Sequence, residues 1–224
     1  MAVTPPRWTR AGAQLGLTGV AASILLIGLL HVIPPSSQVS AVRRTISEYA
    51  LLADGWVFDL GVTALAVGSL AVLVSLIGHR AVKAGSFPSL LIVLWSACLL
   101  AIVAFPKNNW AAGGAGMGGM IHRYASVTAF VSLPLAAILI GRATRSAWPV
   151  WLGAISLAWF AFILGAVLLQ PFTGVRWWVA IPLGAVERGL LFTEVAAVAS
   201  LAFVRRSSRS AATPDPAAMS SATG

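Results

Sequence analysis

Apolar residues fill six long stretches of the chain, and short polar gaps separate them. The stretches cover about residues 11–33, 56–77, 88–105, 120–140, 149–169 and 182–204. A helix of about 20 apolar residues crosses the roughly 30 Å hydrocarbon core of a bilayer. Only helices or closed barrels satisfy their own backbone hydrogen bonds there. The pattern therefore predicts an all-α, polytopic integral membrane protein with six transmembrane helices in a compact bundle.

The polar ends of the chain predict no further domain. Residues 1–10 form a short cytoplasmic leader in this prediction, and residues 11–204 form one transmembrane domain. The first apolar stretch is longer than the core of a signal peptide, so we expect an uncleaved span. Residues 205–224 are rich in Ala, Ser, Thr and Pro, a composition typical of a disordered tail, here cytoplasmic.

Composition excludes a soluble monomer. Only 9% of residues are charged and the mean hydropathy is +0.89, whereas soluble domains carry about 25% charged residues. The net charge of +9 does not indicate a nucleic-acid partner, because the basic residues lie in short gaps beside apolar stretches. The single cysteine, Cys98, excludes an internal disulfide and a cysteine-based metal site.

Basic residues are unevenly divided between alternate gaps. One side carries nine: Arg7, Arg10, Arg80, Lys83, Arg142, Arg145, Arg205, Arg206 and Arg209. The other side carries six: Arg43, Arg44, Lys107, Arg123, Arg176 and Arg188. Cytoplasmic loops carry the excess of Lys and Arg, so we expect both termini in the cytoplasm. The excess of Arg over Lys favours a bacterial source and hence the bacterial inner membrane.

Ionisable residues near the outer ends of the spans are the first candidates for a site. They are Asp59, His122, Glu187, Arg188 and Glu194. A charged side chain at a span centre costs about 2.5–3.5 kcal/mol, so we expect these groups to gather in the outer half, with Arg188 paired to a carboxylate. Glu194 lies two turns deeper than Glu187 on the same helical face. It is either functional or a packing lock.

The first outer loop contains the segment RRTISEYA, residues 43–50. One interpretation is an amphipathic stretch on the outer surface, with Ile46 and Tyr49 dipping into the membrane. The other is that Arg43 or Arg44 binds an anionic lipid head group, because guanidinium matches phosphate geometry. The candidate ligand-binding set is completed by Ser47, Glu48 and Tyr49.

Enzyme motifs are weak in this chain. His122 and nearby carboxylates would suit a membrane-embedded hydrolase, and Ser47, His122 and Asp59 compose a formal triad. No GxSxG elbow supports that triad. His31 ends the first span near the same side, but no HExxH or similar spacing is present. We therefore predict no metal ion and no cofactor.

Four segments carry a family resemblance: ISEYA at 46–50, AFPKNN at 104–109, MIHRYASVTAFVSLPLA at 120–136 and GAVERGLLF at 184–192. Their order resembles the domain-of-unknown-function 998 family of bacterial and archaeal six-span membrane proteins, over roughly residues 15–204. The resemblance implies a six-helix membrane domain with polar positions at Ser47, Glu48, Tyr49, His122, Glu187 and Arg188. Lys107 stands where the family often has an acidic residue, which weakens a metal or acid–base role there.

Three functions fit the sequence. The favoured one is binding or handling a lipid or small amphiphile at the outer leaflet. The alternatives are a small-molecule or proton-coupled transporter and the hydrolase. The bilayer is the expected partner, nucleic acid is not, and the oligomeric state stays open. Gly12, Gly16 and Gly19 permit close helix packing within one chain or between chains.

Overall fold

The computed structural model describes residues 7–108 and 116–205. Its helices are α1 (Arg7–Leu30), α2 (Gly55–Gly78), α3 (Phe87–Ala104), α4 (Met117–Thr144), α5 (Ala147–Thr173), α6 (Trp177–Ala180) and α7 (Leu183–Leu201). Two 3-10 helices, Ser36–Gln38 and Ile46–Leu51, lie between α1 and α2. No strand occurs in these two ranges, so the predicted all-α fold is confirmed. Residues 1–6 of the predicted leader and 206–224 of the predicted tail lie outside the described residues.

Five of these helices, α1 to α5, are long and apolar enough to cross a membrane. Large apolar side chains on the outside of α5, such as Phe162, Leu168 and Phe172, are 52%, 62% and 86% exposed. A surface this apolar fits lipid better than water. The helix α7 is not among the five and carries Glu187, Arg188 and Glu194 within its 19 residues. The count of six spans therefore stays a prediction.

The long helices form an incomplete ring. Each of α1 to α5 packs on its neighbour in the chain, and α5 packs on α7. The helix α7 also contacts α4, and it touches α1 and α2 only lightly. We call the end of the bundle with the α1–α2 and α3–α4 connections the loop end, and the opposite end, where α1 begins and α7 finishes, the terminal end.

Glycines set the close contact between α1 and α2, which we call the glycine seam (Gly12, Gly16, Gly19 and Gly68). A Cβ atom added at Gly19 would lie 2.6 Å from the Ala64 carbonyl oxygen and 2.9 Å from the Gly68 Cα. One added at Gly12 would lie 2.9 Å from the Ala71 carbonyl oxygen. The small residues therefore serve packing within the chain, as they do between other membrane helices.

Candidate functional site

A cavity of about 440 Å³ lies between α1 and α7, with α2, α3 and α4 behind it. Its lining follows α7 from Glu187 to Ala199, a distance of about 18 Å at 1.5 Å per helical residue. Ile24 on α1 and Phe192 on α7 border it and are 56% and 75% exposed, so the cavity reaches the surface between these two helices. It is thus a lateral crevice rather than a sealed void.

The cavity lining is polar at one end and apolar along the rest. Its polar side chains at the loop end are His31, Ser47, His122, Ser126, Glu187 and Arg188. Toward the terminal end the walls are residues such as Leu65, Leu99, Val195 and Ala199, interrupted by Ser23. Four residues of the predicted set, Ser47, His122, Glu187 and Arg188, therefore line one cavity.

Arg188 ties α7 to the α1–α2 connection. Its Nη1 donates to the backbone oxygens of Ala41, Arg44 and Gly184 at 2.7, 2.8 and 3.0 Å. Its Nη2 donates to the Tyr49 hydroxyl at 2.9 Å, and its Nε donates to His31 Nε2 at 2.9 Å. The guanidinium also lies 5.8 Å from the Tyr49 ring centroid. The predicted pairing of Arg188 with a carboxylate is wrong, since the described salt bridges do not include it.

His31 joins the site through Arg188. Its Nδ1 lies 2.8 Å from the Ile27 carbonyl oxygen, which only accepts, so Nδ1 carries the hydrogen. Its Nε2 then accepts from Arg188, and the ring packs edge-on to Tyr49 at 5.4 Å. The sequence places His31 at a span end but offers no spacing that links it to Arg188, which is 157 positions away.

Glu187 is the carboxylate of the cavity. It is 9% exposed, and its Oε2 accepts a hydrogen bond from the backbone nitrogen of Ile46 at 3.2 Å. Within residues 7–108 and 116–205, Oε1 has no hydrogen-bond partner, and it keeps some accessible surface. Glu187 itself lines the cavity, so Oε1 is an unpaired acceptor on a lining residue.

The RRTISEYA segment is packed into the bundle. Ile46 and Tyr49 are 7% and 1% exposed and belong to the buried interior. The interpretation in which these two side chains dip into the membrane is therefore wrong. The cause is that Glu187 and Arg188 bind this segment from α7 and cover it.

Lys107 secures the same segment from the end of α3. Its Nζ lies 3.2 Å from Glu48 Oε1 and donates to Thr45 Oγ1 at 3.0 Å. Arg44 Nη1 lies 3.6 Å from the other Glu48 oxygen, and its side chain is 64% exposed. Arg43 is also exposed and donates to the Val179 carbonyl at 3.3 Å. Glu48 is thus neutralised by Lys107, while both arginines remain accessible at the loop end.

His122 is buried against the end of α3. Its Nδ1 lies 2.9 Å from the Phe105 carbonyl oxygen, and the ring also interacts with the Ile102 carbonyl. No hydrogen bond joins His122 to a carboxylate in the described parts of the chain, and no group of three metal-ligating side chains occurs there. Hydrolysis and transport stay predictions, since nothing in these contacts tests them.

Two of the five ionisable residues that were expected to cluster lie away from the cavity. Glu194 is fully buried and faces α5, where Ser156 Oγ donates to its Oε1 at 3.4 Å and its Oε2 has no partner. Asp59 has no hydrogen bond or ion pair with the described residues and does not line the cavity. The prediction of a single cluster is therefore wrong for these two carboxyl groups. The other three residues, His122, Glu187 and Arg188, line the cavity. Asp54, missed in the sequence, is buried and accepts from Ser36 Oγ at 2.8 Å.

Comparison with known proteins gives one match. A family profile described as "Protein of unknown function (DUF998)" matches residues 17–204. No curated protein and no solved structure matches the chain. The matched range takes in every residue of the cavity described above.

Proposed function

Because the chain belongs to the DUF998 family of proteins of unknown function, we propose a function from the geometry of its own cavity. The protein binds the apolar chain of a lipid or similar amphiphile between α1 and α7, with the head group at the loop end. The observation that carries this proposal is the lateral crevice, whose surface is almost wholly apolar and whose ionisable lining residues all lie at the loop end.

The shape of the crevice suits an amphiphile of the bilayer. Its volume of about 440 Å³ falls within the roughly 300–1,000 Å³ usual for ligand pockets. A lipid tail gains little by leaving other tails for leucine-like walls, since both are equally apolar. Selectivity must therefore come from the polar end, where the hydrogen-bonding groups are concentrated.

The charge distribution supports a position in the outer leaflet. The loop end bears fewer basic residues than the terminal end, so the positive-inside rule favours a periplasmic loop end in a bacterial inner membrane. Arg43 and Arg44 are exposed at that end. They are suitably placed to contact a lipid phosphate, whose geometry guanidinium matches.

A matched pair of glycines tests the proposal. Gly28 lines the cavity and Gly165 lies on α5 outside it, and a Cβ at either position would meet nothing within 4 Å. Gly28→Trp fills the cavity without a backbone clash, whereas Gly165→Trp adds the same side chain to an open position away from the cavity. We expect Gly28→Trp to lower the amount of co-purifying lipid in native mass spectra by about 10-fold, the effect of roughly 1.4 kcal/mol. Equal lipid retention in both variants and the wild type would overturn the proposal.

A further inference from the structure

We infer that the head group bound in this cavity is zwitterionic and carries a primary ammonium group, which Glu187 receives. This inference rests on the proposed function and adds to it the chemical class of the ligand. Among the described residues, Glu187 is the one carboxylate that lines the cavity.

The acceptor side of the site is open. Glu187 is 91% buried, being 9% exposed, and only its Oε2 is bonded, to the Ile46 nitrogen. Ser126 Oγ, in the same lining, donates its hydrogen to the His122 carbonyl at 2.9 Å, which leaves it only acceptor capacity. The lining residues thus include one with an unpaired acceptor, Glu187 Oε1, and one with acceptor capacity, Ser126, while nearly all of the cavity surface is apolar.

The cations near Glu187 are engaged elsewhere. Lys107 Nζ is bound by Glu48 and Thr45, and it acts on Glu187 only at longer range. Arg188 directs its guanidinium to loop carbonyls, His31 and Tyr49. Neither forms an ion pair with Glu187. No cation among the described residues pairs directly with Glu187, and a charge-assisted N–H···O bond from a bound ammonium is the strong form of such a contact.

The overall charge favours a zwitterion over a simple cation. Around the polar end, the cations outnumber the carboxylates Glu48 and Glu187 by four to two, so a lone cation would add to an excess of positive charge; the four are Lys107, Arg188, Arg43 and Arg44. A phosphoethanolamine-type head group brings its own phosphate, which the exposed Arg43 and Arg44 can contact. A quaternary ammonium has no N–H to donate, so it cannot form the charge-assisted N–H···O bond to Glu187.

The experiment is a competition between lipids with the same acyl chains. The full-length protein in detergent receives equal amounts of phosphatidylethanolamine, its N-methyl and N,N-dimethyl derivatives, phosphatidylcholine and phosphatidylglycerol, and native mass spectrometry measures retention. We expect phosphatidylethanolamine to be retained about 10-fold over phosphatidylcholine and phosphatidylglycerol, a difference of about 1.4 kcal/mol. Retention should fall in steps as N–H donors are methylated, since hydrogen bonds to charged groups are the stronger ones. A long-chain alkylamine, which lacks the phosphate, should compete more weakly.

Variants locate the effect. Glu187→Gln keeps an oxygen for the Ile46 nitrogen but loses the charge, so the preference for phosphatidylethanolamine should disappear. Asp59→Asn removes a carboxylate that does not line the cavity and has no hydrogen bond or ion pair with the described residues, so it should leave the preference intact. Wild-type protein that binds all the lipids equally, or a preference that survives in Glu187→Gln, would overturn the inference. If Glu187→Gln does not fold, the methylation series on the wild type decides. Failure of the wild type to retain any lipid would instead defeat the proposed function.

Discussion

Replacement of Arg188 by lysine tests whether one guanidinium holds the loop end together. Arg188 makes five hydrogen bonds, to three backbone carbonyls, His31 and Tyr49. Lysine keeps the positive charge but has a single nitrogen on a flexible stem. It cannot reach His31 after the end of α1, Tyr49 in the connecting segment and Gly184 on α7 at the same time. We expect Arg188→Lys to lose about three of the contacts.

The size of the effect follows from the medium. Side-chain hydrogen bonds in membrane proteins average about 0.6 kcal/mol, and neutral ones in water about 1 kcal/mol, with charged ones higher. Three lost contacts therefore lower the free energy of unfolding by about 2–4 kcal/mol. At roughly 2–4 °C per kcal/mol for a chain of this size, the midpoint of thermal unfolding falls by about 5–15 °C.

Tryptophan fluorescence during heating in detergent measures this midpoint, and Arg43→Lys is the matched control. Arg43 is exposed and makes one long contact, to the Val179 carbonyl at 3.3 Å. Surface substitutions of this kind change stability by about 0.5 kcal/mol or less, so its midpoint should move by no more than about 2 °C. If the two lysine variants unfold at the same temperature, Arg188 does not hold the loop end and the reasoning fails.

Two further predictions concern stability. Gly19→Ala brings its Cβ to 2.6 Å from the Ala64 carbonyl oxygen, so overpacking should lower the free energy of unfolding by about 1–3 kcal/mol. The control Gly28→Ala adds a Cβ that meets nothing within 4 Å and should not destabilise the protein. Equal thermal midpoints for the two variants would contradict the role of the glycine seam. The double variant Glu194→Met, Ser156→Ala removes the unpaired buried oxygen together with the hydroxyl that donates to its carboxyl. Because replacing both partners by apolar groups can be neutral or stabilising, the thermal midpoint should stay unchanged or rise. A clear fall would show that the carboxyl supports the packing of α7.

The helices were predictable because their signal is local. A long apolar stretch predicts a membrane helix whatever its neighbours are, and α2 to α4 lie where the hydrophobic pattern placed them. The pattern also predicted that Glu187, Arg188 and His122 lie near the same end of their spans, and all three line one cavity. Such a position follows from counting residues from a span end, and it requires no knowledge of the tertiary contacts.

The direction of each side chain was not predictable in the same way. Glu187 and Glu194 are seven residues apart and nearly share a helical face, yet one lines the cavity and the other faces Ser156 on α5. The partners along α7 change from the RRTISEYA segment to α5 over two turns. Asp59 shows the same limit, because its depth in α2 matches the site while its side chain stands outside the lining.

The segment between α1 and α2 shows how charge can mislead. Its two arginines and its amphipathic pattern suggested a segment that lies on the membrane surface. The contacts that bury Tyr49 come from Arg188, 139 positions later in the chain. Long-range pairing of this kind leaves no periodicity in a single sequence, so it becomes visible only in the folded structure.

The glycine seam affects how quickly a bound lipid would exchange with the bilayer. The helices α1 and α2 are in backbone contact at Gly19. We therefore expect this pair to move little and the crevice to widen on the side of α7. Phe192 stands there with 75% of its surface exposed, and exposed side chains rotate within nanoseconds. We therefore expect bound molecules to exchange fast, because rotation of the Phe192 side chain opens the crevice and no slow displacement of a whole helix is needed.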